Sequence, residues 1–159
     1  MSRSIGPLAF VGGIVGLLIA NSGSGEPEIQ TQIAARPGNW AETRIPRSRD
    51  GHFYVHAMVD GQLVRFLVDT GATQIALTLD DAERVGAQIT PGAFQVVGTG
   101  ASGPVRGQRI RLHSVSVDGK EIRSLPAIAV EGLDRSLLGQ AYLSRMSGVS
   151  MTSEQMIIR

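Results

Sequence analysis

One short segment holds residues whose types and spacing could do chemistry. It reads Val68-Asp69-Thr70-Gly71-Ala72-Thr73 and is approached through Phe66 and Leu67. Three apolar residues ahead of the acid predict a buried strand end. A carboxylate placed there is costly unless it is hydrogen-bonded or paired. Gly71 lets the chain turn sharply and brings backbone N–H groups near the carboxylate. Thr70 and Thr73 supply hydroxyls that can fix the local network. Held so, Asp69 would sit rigidly at the bottom of a cleft, as general acid–base chemistry needs. The blander alternative is an Asx turn, with Asp69 bonding its own backbone after a strand.

Other chemistries find little support. The chain has no Cys, which excludes thiol catalysis, disulfides and Cys-ligated zinc. His52 and His56 would lie roughly 13 Å apart along a strand, too far to share a metal, so no metal or cofactor is expected. His113 stands alone and is expected to end a strand. Ser102 and Ser136 lack a recognisable His–Asp constellation. Gly98–Gly103 lacks the Lys-Ser/Thr of a phosphate loop. A net charge of +1 gives no reason to expect nucleic acid.

The elements that must position Asp69 are mostly strands. Apolar residues make up 42% of the chain, aromatics only 4%, and there are 20 glycines, a balance that suits short strands and tight turns. His52–Val59 alternates, with Phe53, Val55, Ala57 and Val59 on one face. Asp60-Gly61 is a hairpin turn, and Leu63–Val68 returns as the partner strand. Gln74–Leu77 is a short strand. Thr78 caps a helix over Leu79–Val85, with Asp81 in capping-box position and Gly86 as the stop. Phe94–Val97 and Val105–Leu112 flank a glycine-rich tip. Val115–Val117 and Glu121–Arg123 flank the turn Asp118-Gly119. Ala127–Val130 is an apolar strand, Gln140–Met146 a short helix, and Met151 with Met156–Ile158 a terminal hairpin. Phe66–Gly71 has a faint echo in Ser136-Leu137-Leu138-Gly139, since both drive an apolar strand into a glycine turn.

The first residues bear on location. Ile5 to Ala20 runs sixteen residues without a charge, after Arg3 and before Glu26 and Glu28. This predicts an apolar helix over 1–22, a membrane anchor or signal segment, with the rest of the chain exported. Residues 23–50 read as a flexible linker in which Arg44, Arg47 and Arg49 are solvated, although Trp40 and Ile45 can dock as a partial strand. The folded domain is expected over 51–159, about the ordinary domain size.

Val68-Asp69-Thr70-Gly71-Ala72-Thr73 resembles the active-site motif of retropepsin-like aspartic proteases. Leu137-Leu138-Gly139 resembles that family's second signature, in the loop beneath the catalytic turn. Between them, Gly98, Thr99, Gly100, Ala101, Ser102 and Gly103 stand where the family carries its flap. The order behind an apolar segment is similar to the bacterial membrane-anchored members. The resemblance implies a mainly β, single-lobe closed barrel with one or two short helices. It implies an aspartic endopeptidase with Asp69 as catalytic carboxylate and Thr70 to Thr73 as its support. This chain has one Asp-Thr-Gly, so the second carboxylate must come from a second chain in a homodimer. Thr70 would then bond across the axis and terminal strands would help hold the dimer. Peptide or protein would be the substrate, no cofactor would be needed, and the domain would face the periplasm or be secreted. Pro104 departs from the pattern by stiffening one flap arm and removing a donor. The competing function is a non-catalytic peptide-binding or dimerisation module on the same fold.

Overall fold

The computed structural model of the chain describes residues 40–100 and 103–159. The expected helix over 1–22, most of the linker, and Ala101 and Ser102 lie outside the described residues. Among the described residues, no helix is long and apolar enough to cross a membrane.

Hairpins build the body. Strands β2 (Tyr54–Val59) and β3 (Gln62–Val68) pair antiparallel. Phe53, Val55, Ala57 and Val59 all turn inward, as their alternation requires. Asp60 and Gly61 take φ of 47° and 85°, the two left-handed residues that a two-residue hairpin needs. Strand β4 (Ile75–Leu77) leads into α1 (Leu79–Arg84), where Thr78 accepts the Asp81 N–H as the cap. Strands β5 (Gln95–Gly100), β6 (Gly103–Val117) and β7 (Lys120–Val130) form a long meander. The two-residue strand β8 (Leu137–Leu138) precedes α2 (Gln140–Leu143). Strands β9 (Val149–Met151) and β10 (Gln155–Ile158) close the chain, and β1 (Thr43–Pro46) precedes them all.

Seven strands make one sheet in the order β2-β3-β8-β4-β7-β6-β5. Met58 and Val59 of β2 also pair with Ser116 and Val115 of β6, which folds the sheet back on itself. Strands β1, β10 and β9 form a second sheet in that order. The fold is therefore mainly β with two short helices.

Two expectations change. His113 does not end a strand, because β6 runs unbroken from Gly103 to Val117 and β7 likewise absorbs Glu121–Arg123 and Ala127–Val130. The β6–β7 register does skip at His113, between the Leu112–Leu125 and Ser114–Arg123 pairs. The Asp60 carboxylate accepts the N–H groups of His113 at 3.1 Å and Ser114 at 2.7 Å, which satisfies the backbone at the gap. Residues 40–50 leave the free linker because the partial strand expected at Trp40 and Ile45 does dock. Ile45 is 3% exposed, Trp40 packs on the same core, and β1 pairs with β10. Arg47 donates to the carbonyls of Ser153, Gly51 and Thr152, and its guanidinium lies 4.6 Å from the Phe53 ring centroid. A planar fork of donors can satisfy several turn carbonyls while its charge stays wet. Lys120, the chain's single lysine, is fully buried and donates to Thr43 at 2.7 Å, which ties β1 to the body.

Tyr142 is the largest fully buried side chain. Its hydroxyl donates to the Lys120 carbonyl at 2.6 Å and accepts the Val117 N–H at 3.3 Å. Burial pushes the phenol pKa up from its ordinary value, with Asp118 adding to the rise. The neutral phenol is therefore favoured in the fold. Its stabilisation is complete below about pH 10, where the unfolded phenol begins to ionise, and is lost as pH climbs toward the raised folded value. Urea midpoints are expected to drop above about pH 10, and to drop less steeply in Tyr142→Phe. Equal steepness in the two proteins would remove Tyr142 as the cause.

Candidate active site

Strand β3 delivers Asp69 at its end. Val64, Phe66 and Val68 face the main core, whereas Leu67 faces a smaller cluster with Ala76, Val97, Ile128, Val130 and Leu137. Both faces of the approach are thus packed, and Asp69 itself is half-buried. Its N–H donates to the Leu138 carbonyl at 3.1 Å. Its Oδ1 accepts the Gly71 N–H at 2.9 Å, and its carbonyl accepts the Ala72 N–H at 3.3 Å. The turn is held at both the backbone and one carboxylate oxygen. The Gly71 bond has the i to i+2 form of an Asx turn. Gly71 is not among the residues with positive φ, so what the site takes from this position is its N–H rather than a left-handed backbone.

The faint echo in the sequence is a physical contact. Strand β8 inserts between β3 and β4, parallel to the first and antiparallel to the second. Leu67 pairs with Leu137 and Val68 with Leu138, which places Leu138 where its carbonyl meets the Asp69 amide. Gly139 follows at a point of close approach. A Cβ there would stand 2.2 Å from the Gln74 carbonyl oxygen and 2.5 Å from that of Ala72. Beyond it, Gln140 and Ala141 donate their N–H groups to the Ala72 and Thr73 carbonyls at 2.8 and 2.9 Å. The segments 69–73 and 137–141 therefore form one interlocked unit.

The sequence predicts that the Thr70 and Thr73 hydroxyls fix this network, and the structure differs. Both side chains are exposed, and among the described residues neither hydroxyl has a partner. Backbone bonds do that work, together with the Gln140 side chain, which donates to the Thr70 carbonyl at 2.9 Å. The amide of Gln140 carries no local pattern that would have marked it, since its partner lies 70 residues away. Ala72 is fully buried beneath the turn.

The glycine-rich segment is a hairpin, with Gly98 opposite Val105, Thr99 opposite Pro104 and Gly100 opposite Gly103. Pro104 thus sits within the ladder, on the β6 arm. A bulge between Val96 and Gly98 accompanies a buried Val97, 3% exposed, at the hairpin base. Val97 and Val105 pack with Leu67 and Leu137, so the hairpin base shares a cluster with the strands that carry Asp69. Ala101 and Ser102 lie outside the described residues.

A cavity of about 620 Å³ lies elsewhere, lined by Tyr54, Arg65, Leu79, Arg84, Asp134 and Ser136 among others and by no residue of the Asp69 turn. Among the described residues, no group of three or more His, Asp or Glu is placed to hold a metal ion.

A mainly β fold that clamps a single aspartate turn on a short inserted strand is that of the aspartic proteases. The family model described as "gag-polyprotein putative aspartyl protease" matches residues 55–145. The chain belongs to the retropepsin-like aspartic protease family. A solved retropepsin-like aspartic protease from Rickettsia conorii is 36% identical, with a TM-score of 0.64 over 74% of this chain and 88% of that one. Curated relatives include an uncharacterized protein of Rickettsia prowazekii (strain Madrid E), 36% identical over 118 residues, and one of Sinorhizobium sp., 35% identical over 120. Each alignment covers 74% of this chain but 51% and 52% of the relatives, so the chain spans about half their length. EIAV protease in complex with the inhibitor HBY-793 shares the fold at 16% identity, with a TM-score of 0.51 over 61% of this chain and 89% of that one.

Proposed function

We propose that this chain is an aspartic endopeptidase that hydrolyses peptide bonds with a water activated between the two Asp69 carboxylates of a homodimer. One observation carries the reading. Asp69 is locked through its N–H and Oδ1, while Oδ2 has no partner among the described residues and the side chain is half-exposed. A rigid carboxylate with one free oxygen is ready to meet a second across a twofold axis. Two such groups about 3 Å apart cannot both ionise, so they share a proton and titrate as a unit. The ionised member takes a proton from water, which attacks the peptide carbonyl carbon. The protonated member hydrogen-bonds the carbonyl oxygen as charge develops there.

The remaining residues take roles that fit this chemistry. Leu137, Leu138 and Gly139 form the platform beneath the turn. The Thr70 hydroxyl, exposed and without a partner among the described residues, is free to bond across the axis. The hairpin around Gly98–Gly103 closes over a peptide bound as an added strand and excludes water. Residues 1–22 anchor the domain on the exported side of the inner membrane, or direct its secretion if they are cleaved. The reaction requires no cofactor.

The second reading, a non-catalytic peptide-binding or dimerisation module, draws on the same Gly71 bond, which an Asx turn would make without any chemistry. A mixing experiment addresses the shared site. Wild-type chain is allowed to exchange subunits with a ninefold excess of Asp69→Asn chain, and cleavage of a denatured protein is followed from acidic to neutral pH. Activity per wild-type chain is expected to fall about tenfold, because nearly every wild-type subunit then lies in a mixed dimer. Activity proportional to wild-type chain alone would place the whole site in one molecule. Peptide binding by the wild type with no turnover would establish the second reading.

A further inference from the structure

We infer that Ser136 and Asp81 are positioning residues for Asp69, a polar latch that sets where β8 lies along β3. The inference rests on the peptidase reading of Asp69.

The latch begins in the first turn of α1. A capping box would have the Asp81 side chain reach back to the Thr78 N–H. Thr78 does accept the Asp81 N–H at 3.1 Å, but the return bond is absent. Ser136 stands in the gap. Its hydroxyl accepts the Thr78 N–H at 3.1 Å and donates to Asp81 Oδ2. Asp81 Oδ1 holds Arg84. Ser136 is 1% exposed, so a hydroxyl placed there needs both partners. The helix start is thus capped through a residue 55 positions further along the chain.

Ser136 is also the residue that leads into β8. Its carbonyl accepts the Leu67 N–H at 2.9 Å. Two residues on, the Leu138 carbonyl accepts the Asp69 N–H. A two-residue strand has almost no ladder of its own with which to specify register. Its placement must come from its ends. Gly139 wedges one end against the 72–74 carbonyls. The Ser136 latch holds the other. If β8 slips, the Leu138 carbonyl leaves the Asp69 amide, and the carboxylate loses the fixed height that two facing acids require.

The test uses the full chain. Ser136→Ala is expected to lower kcat for peptide cleavage about tenfold with KM within about twofold of wild type. Asp81→Asn, whose amide oxygen can still accept from Ser136, is expected to stay within about threefold of wild type, and Arg84→Ala to match it. Amide hydrogen exchange supplies a readout independent of turnover. The Leu67 and Asp69 amides are expected to exchange about tenfold faster in Ser136→Ala, with the Val64 and Phe66 amides unchanged. Unchanged exchange at Leu67 and Asp69 overturns the latch. So does a uniform acceleration at all four amides, which would mark general destabilisation. Wild-type kcat in Ser136→Ala overturns it as well and leaves the peptidase reading standing. A wild-type chain that cleaves nothing removes the peptidase reading, and the exchange data still decide whether Ser136 holds the turn. Should Ser136→Ala not fold, the same measurements on Asp81→Ala decide.

Discussion

Asp69→Asn is expected to lower kcat for peptide hydrolysis by about a thousandfold or more, the scale seen when an essential catalytic group is removed. The fold and the proposed dimer should survive. Asparagine keeps an Oδ1 that can accept the Gly71 N–H, and the backbone bond from residue 69 to Leu138 does not involve the side chain. What disappears is the ability to hold and release a proton. In the proposed dimer two asparagines cannot ionise at that position, so no group would remain to accept the proton of the attacking water. Peptide affinity, thermal midpoint and subunit mass are expected to match those of the wild type. Initial rates on a denatured protein, with light scattering on the same samples, check the expectation. Equal cleavage by the variant would mean that the chemistry resides elsewhere. The result also separates peptidase from binding module, because a module that only holds peptide should not notice the exchange of one carboxylate oxygen for an amide nitrogen.

Asp69 was legible in the sequence because its environment is local. The apolar approach Phe66–Val68 and the Gly71 donor lie within three residues of it; the structure packs the first on both faces of the strand and bonds the second to Asp69 Oδ1. The hairpins were legible for the same reason: Asp60-Gly61 and Asp118-Gly119 announce their turns with residues that accept positive φ. What stayed hidden depends on distant partners. Leu137-Leu138-Gly139 was placed beneath the turn by its resemblance to the family signature, because β8 is only two residues long, too short to show a period, while the Gln140 contact with the Thr70 carbonyl, 70 residues away, had no sign at all. The Thr70 and Thr73 hydroxyls looked like the natural supports, yet carbonyl and amide groups common to every residue took that role. Arg47 gave no sign of its three carbonyl partners, because a charged residue between Pro46 and Ser48 reads as solvated whatever it binds. The backbone at His113, which the β6–β7 register skips, is satisfied by Asp60, a turn residue 53 positions earlier that no local pattern connects to it.

Gly139→Ala should be the most damaging single methyl that can be added near the site. The cost is not conformational, since residue 139 has φ −100° and any residue adopts that backbone. It is steric. The new Cβ would lie 2.2 Å from the Gln74 oxygen, 2.5 Å from the Ala72 oxygen and 3.0 Å from the Ala72 Cβ. The two closest atoms are backbone carbonyls, so no side chain can swing away. Nor can the loop retreat freely. The Ala72 carbonyl accepts the Gln140 N–H and the Thr73 carbonyl accepts the Ala141 N–H, so relief of the clash breaks the bonds that join the aspartate turn to α2. A loss of about 3 kcal/mol or more is expected from overpacking and broken bonds together. That is a large part of the roughly 5–15 kcal/mol that holds an ordinary domain together. Gly148→Ala is the matched control: a Cβ there meets nothing within 4 Å, and the expected change is within about 0.5 kcal/mol. Urea unfolding of both variants measures the difference. If the two curves coincide, the turn and the strand beneath it are not in the close contact described. If Gly139→Ala alone collapses, the aspartate owes its fixed position to the one residue type that lets two backbones touch.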